Sequence, residues 1–97
     1  MRALLVAALA LAALPVAAQD SSARNLAASC AICHGTEGHA VTKDMVSLAG
    51  LSKEHIAKQL RDFKDGKRPA TVMHQIAKGY SDPQIDALAA WYAAQKK

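Results

Sequence analysis

The chain has 97 residues, 52% of them apolar, with 12 Lys and Arg against 8 Asp and Glu and a formal net charge of +4. That length allows one domain at most, and a mild positive balance without a dense basic run or interleaved aromatics argues against nucleic acid as a partner. One Trp, one Phe and two Tyr supply little bulk, so a domain this small needs an added core element such as a disulfide or a metal.

The first stretch reads as a targeting segment. Met1-Arg2 gives a positive start, Ala3 to Leu14 is an unbroken apolar run, Pro15 breaks it, and Val16-Ala17-Ala18 offers a peptidase site. A run of about a dozen apolar residues falls short of the roughly 20 that span a bilayer. The expectation is a signal peptide over 1–18, cleaved after Ala18, and a single domain over 19–97 with no membrane anchor in the mature form. No Cys follows the site directly, which argues against a lipid anchor.

Downstream, the apolar pattern is helical throughout, and no alternating stretch is long enough for a strand. Ala23, Leu26, Ala27 and Cys30 recur at i, i+3, i+4 and i+7, predicting a helix from about Ser22 to Cys33 that ends at Gly35 and Gly38. Residues 35–52 read as an irregular loop. Ser52 is a good N-cap for a second helix with Ile56, Leu60 and Phe63 inward, stopped by Gly66 and Pro69. Thr71 to Lys78 is a short helical segment closed by Gly79. Ser81-Asp82-Pro83 starts the last helix, which carries Ile85, Leu88, Ala89 and Tyr92 on one face with Trp91 flanking. The fold class is all-α, three main helices plus a short one.

The chemistry lies in Cys30-Ala31-Ile32-Cys33-His34, the C-x-x-C-H pattern of c-type haem attachment. On a helical turn Cys30, Cys33 and His34 share a face, so two thiols can meet the two vinyl groups of one porphyrin edge while the imidazole lies under the iron. A disulfide across two residues closes too small a loop to stabilise much. A thioredoxin-like dithiol belongs in a βαβ context, and zinc calls for a second ligand pair. Haem would also supply the missing core. For the sixth ligand, Met73 lies far enough beyond His34 for the chain to wrap round and approach from the other side. His74 is its rival. Met45 comes early in the loop, and His39 and His55 read as loop and surface histidines.

On these residues the chain resembles the class I c-type cytochromes. Cys30-x-x-Cys33-His34-Gly35, Met73 and the Leu88/Trp91 pair all correspond to that pattern. A narrower likeness runs through Ser47-Leu48-Ala49-Gly50-Leu51, Gln59 to Pro69, Ile76 to Asp82 and Leu88 to Gln95. There the chain is similar to the cytochrome subunit of flavocytochrome c sulfide dehydrogenase. The resemblance implies a small fold wrapped round one covalent haem c, held by Cys30 and Cys33, with His34 and Met73 as axial ligands. It also implies single-electron transfer in the periplasm without catalysis of its own, and a flavoprotein subunit as redox partner. One departure stands out: Val46 occupies the place of a family Pro whose carbonyl accepts a hydrogen bond from the proximal histidine.

Three functions follow: a cytochrome subunit bound to a sulfide-oxidising flavoprotein, a free periplasmic shuttle, and a haem-free dithiol or metal-handling protein. The basic residues Lys53, Lys58, Arg61, Lys64, Lys67 and Arg68 read either as a solvated face or as a docking surface for an acidic partner.

Overall fold

The computed structural model describes residues 18–97. The expected leader lies outside the described residues apart from Ala18. Four α-helices follow in chain order: α1 Ala18–His34, α2 Lys53–Lys64, α3 Met73–Lys78 and α4 Asp82–Ala93. No strand occurs among the described residues, and no helix among them is long and apolar enough to cross a membrane.

Helix α1 runs one residue past the expected stop and takes His34 into its last turn. Gly35 then turns the chain with φ 84, and a Cβ there would sit 1.8 Å from the His39 carbonyl oxygen, so only glycine fits. The loop that follows is less irregular than its composition predicts. Thr36–Gly38 forms a 3-10 turn with Glu37 at φ 55. The Gly38 carbonyl accepts from Leu48 N at 2.8 Å and Ala49 N at 3.2 Å, closing the loop on itself. Gly38 has φ 85, and a Cβ would meet Ala49 N and the Tyr92 ring, both at 2.8 Å. Backbone pairing and the close approach of α4 therefore both demand its bare Cα.

Helix α2 starts where its cap residue says it should: the Ser52 side chain accepts from His55 N at 3.1 Å. Helix α4 carries a full capping box, with Gln84 N donating to Ser81 Oγ and Ser81 N donating to Gln84 Oε1 at 2.9 Å. Helix α3 begins at Met73, later than the expected Thr71, since the backbone of Val72 at φ -138 is not helical.

The core forms where α4 crosses α1 and α2. Ile85, Leu88, Ala89 and Tyr92 are buried on one stripe of α4, against Ala27 of α1 and Ile56 and Ala57 of α2. Tyr92 is 1% exposed and donates its hydroxyl to the Ala27 carbonyl at 2.8 Å. Its ring stands edge-on to Trp91, centroids 4.9 Å apart. Burial pushes the Tyr92 phenol well above its ordinary range, with lesser contributions from Cys30 and Tyr80. Arg61 ties α2 to α4 through Asp86 at 2.7 Å and Asp82 at 3.6 Å.

Removing the hydroxyl tests this crossing. Tyr92→Phe keeps the ring and loses the bond to Ala27, at a cost of about 0.5–1.5 kcal/mol. Urea unfolding should show a lower midpoint at unchanged slope.

Candidate functional site

A cavity of about 520 Å³ opens between the helices, within the range of about 300–1,000 Å³ typical of sites that enclose a small molecule or cofactor. Its wall draws on all four helices and the loops between them, with Leu88 and Tyr92 of α4 at the back. The last turn of α1 contributes Cys30, Cys33 and His34; the loop contributes Met45, Val46 and Leu48; α2 contributes Leu60 and Phe63; Val72, Met73 and Ile76 come from the start and body of α3. The lining is mostly apolar, with sulfur and imidazole as its distinctive donors.

His34 is 7% exposed and donates from Nδ1 to the Val46 carbonyl at 2.8 Å. A carbonyl only accepts, so this bond puts the ring proton on Nδ1 and leaves the Nε2 lone pair free to bind a metal. The departure at position 46 is therefore absorbed by the backbone. The Val46 side chain is 59% exposed while its carbonyl does the holding. Proline's rigidity is replaced by two bonds from the loop to Gly38 and by Ala40 N donating to Ser47 Oγ at 3.0 Å.

Cys30 and Cys33 are free thiols on the same wall. Burial pushes the Cys30 thiol up, and its contact with the Tyr92 hydroxyl offsets part of that rise.

Met73 faces the cavity, and so does Met45. His74, next to Met73, does not line it; its Nδ1 is buried without a hydrogen-bond partner. His39 is also off the wall: its ring nitrogens lie 3.1 Å from the Thr36 carbonyl oxygen and 2.5 Å from that of Lys96. His55 is exposed, as expected of a surface histidine, and also borders the cavity together with Gln59, whose Oε1 is buried and unpartnered. The spacing 55, 59, 63 puts both on the side of α2 that carries Phe63.

The basic residues of α2 are partly engaged within the chain. Lys58 pairs with Asp62, Arg61 with Asp82 and Asp86, and Lys64 Nζ donates to the Tyr80 carbonyl at 2.6 Å. Those three describe an internally braced, solvated face more than an array of free charges.

Two thiols and one ligand-ready imidazole on one wall, thioethers elsewhere and apolar surface between them fit haem c. Among the described residues no three His, Cys, Asp or Glu side chains converge as a site for a bare metal ion.

Comparison with known proteins points the same way. The family model described as "Cytochrome C oxidase, cbb3-type, subunit III" matches residues 17–91. The chain is 37% identical over 89 residues to cytochrome c4 of Pseudomonas aeruginosa, covering 91% of this chain and 44% of that protein. It is 40% identical over 78 residues to the cytochrome subunit of sulfide dehydrogenase of Chlorobaculum tepidum, covering 80% of this chain and 70% of that one. It is 44% identical over 71 residues to the thiosulfate dehydrogenase electron acceptor of Thiomonas intermedia, covering 72% of this chain and 33% of that protein. The alignments thus span less than half the length of two of these relatives. With a family model matched over most of its length, an all-helical fold and a C-x-x-C-H turn on the wall of an apolar cavity, the chain belongs to the c-type cytochromes, a family that implies covalently bound haem c.

Proposed function

We propose that the protein is a periplasmic monohaem cytochrome that transfers single electrons and performs no catalysis of its own. The observation that carries this reading is the His34–Val46 bond at 2.8 Å, which readies an imidazole beside two thiols on the cavity wall. Cys30 and Cys33 would hold the group through thioether bonds. His34 Nε2 and the Met73 thioether would hold the iron. Haem c, when bound, supplies a one-electron Fe(II)/Fe(III) couple. Leu48, Leu60 and Phe63 give the cavity an apolar lining. With His34 and Met73 both engaged in holding the group, the chain would leave no donor position for a substrate, which favours electron transfer over catalysis. The mature domain is taken to be 19–97, after removal of 1–18 by signal peptidase; intact mass of the exported protein would read the cleavage position directly.

The likeness to the Chlorobaculum tepidum subunit, which extends over 70% of that protein, supports a role beside a sulfide-oxidising flavoprotein. The likeness to cytochrome c4 over 91% of this chain supports the second reading, a free shuttle. Co-purification with a flavin-containing chain favours the first, and a protein isolated alone favours the second.

The founding test is colour. Exported from cells competent for covalent haem attachment, the protein should show a haem spectrum that survives denaturation; a colourless product with two free thiols overturns the proposal.

The sixth ligand is tested by substitution. Met73→Ala should give a high-spin ferric spectrum, lower the reduction potential and admit added imidazole, because the thioether favours Fe(II). His74→Ala and Met45→Ala should leave spectrum and potential near those of the unaltered protein.

Stability should depend on the same group. Haem-free protein should show far-ultraviolet circular dichroism well below the native helix signal, since the cavity removes the wall's apolar contacts. Native helix content in the haem-free protein would contradict this.

A further inference from the structure

We infer that His39 is a proton-operated clasp. Charged, it fastens the segment after α4 to the turn after α1; when it loses its second proton, that segment is released. The inference calls on no haem chemistry and stands apart from the function proposed above.

The His39 ring lies between two carbonyl oxygens. Nδ1 is 3.1 Å from that of Thr36, and Nε2 is 2.5 Å from that of Lys96. A carbonyl oxygen only accepts, so both nitrogens must donate, and only the imidazolium carries a proton on each. A neutral ring in either tautomer sets one bare nitrogen lone pair against an oxygen. Turning the ring over puts carbon where the nitrogens stood and loses both bonds.

The two acceptors are not equally able to withdraw. Thr36 lies three residues back, in the 3-10 turn, and its carbonyl also accepts from His39 N at 3.0 Å. That partner is fixed beside the ring. Lys96 lies 57 residues on, past the end of α4. Gln95 is still held, by its N–H on the Tyr92 carbonyl at 3.1 Å and its side chain on the Trp91 carbonyl at 2.8 Å. Beyond it, the bond to His39 is the one hydrogen bond that Lys96 or Lys97 makes among the described residues. Keeping a local bond orders less chain than keeping a distant one. A neutral His39 therefore keeps Thr36 and gives up Lys96.

The clasped segment lies over a wall of the cavity. A Cβ at Gly50 would stand 2.5 Å from Lys97 Cγ, so Lys97 crosses Gly50 closely. Gly50 sits between Leu48 and Leu51, both of which line the cavity. Release of Lys96 and Lys97 thus uncovers the outer side of a strip whose inner side faces the site.

The charged groups on the turn, the following loop and the segment itself are Glu37, Lys43, Asp44, Lys96 and Lys97. None of them forms an ion pair with His39. Their charges bear on the pH of the change, whereas the number of bonds the ring can make is set by the two carbonyls. Histidine is the side chain whose charge ordinarily changes between about pH 5 and 8, so the clasp works in a range that cells and their surroundings reach.

The test uses the full exported holoprotein, labelled with nitrogen-15 and carbon-13, kept reduced and titrated by nuclear magnetic resonance. At the acid end both His39 ring nitrogens should give imidazolium shifts. As the pH rises, those nitrogens and the Lys96 carbonyl carbon should change with one common midpoint, and relaxation of the Lys96 and Lys97 amides should show greater motion above it. His39→Gln, whose amide donates at every pH, should abolish the response of Lys96, while Glu37→Gln should keep Lys96 and the ring moving together. A Lys96 carbonyl that stays flat while the His39 ring titrates overturns the inference, as does a Lys96 response that persists unchanged in His39→Gln. The wild-type comparison of ring and carbonyl decides the matter even if a variant folds poorly.

Discussion

A hydroxyl on α4 reaching a carbonyl on α1 sets the geometry from which the rest follows. The Tyr92–Ala27 bond lies one turn ahead of Cys30, so it fixes the position of the turn that carries both thiols and the imidazole. The same ring presses on Gly38, where no side chain would fit. Gly38 in turn anchors Leu48 and Ala49, and with them the segment whose Val46 carbonyl orients His34. One aromatic side chain thereby connects the helix that holds the donors to the loop that aims one of them. An imidazole so held needs no reorganisation to bind a metal, which is the value of a preset tautomer.

Helix α2 belongs to the far side of the site and is fastened differently. Its link to α4 through Arg61, Asp82 and Asp86 is partly solvent-exposed, and such pairs contribute little net stability. Their effect is geometric: they bring Leu60 and Phe63 to the cavity wall while the opposite face stays in water. The segment after α2 then passes through the paired bonds to Asp62 before delivering Val72 and Met73 to the wall. Donors thus arrive on the cavity from both halves of the chain.

Much of this was legible in the sequence, and the reasons differ by element. The stripe Ile85, Leu88, Ala89 and Tyr92 declares its burial through spacing alone, because an α-helix has only one way to turn that set inward. Ser52 and Ser81 marked helix starts through local chemistry. The C-x-x-C-H turn named its own ligand chemistry. The 3-10 turn at Thr36–Gly38 was hidden because it depends on positive φ at Glu37 and Gly38, and Gly38 is held by Leu48, Ala49 and Tyr92, ten or more residues away. His55, read as a surface histidine, is exposed and yet also lines the cavity with Gln59, because a helix face at a cavity mouth meets water and wall at once. Val46 carried a warning in its side chain and an answer in its backbone, where sequence comparison does not look.

The distribution of apolar residues explains why such a short chain folds round a hollow. Five of its nine buried core positions among the described residues are alanine, namely Ala27, Ala49, Ala57, Ala77 and Ala89. Alanine buries little area, whereas full burial of a leucine, phenylalanine or methionine side chain contributes about 1.5–3 kcal/mol. The larger side chains Leu48, Leu51, Leu60, Phe63 and Met73 instead line the cavity, each only partly buried. Their stabilising contact is deferred until something apolar fills the space between them. Alanine in the helix crossings allows close approach there, and the bulk is reserved for the wall. A cofactor that completes this wall is part of the core, so the requirement for a stable fold and the requirement for a water-poor redox site are met by the same side chains.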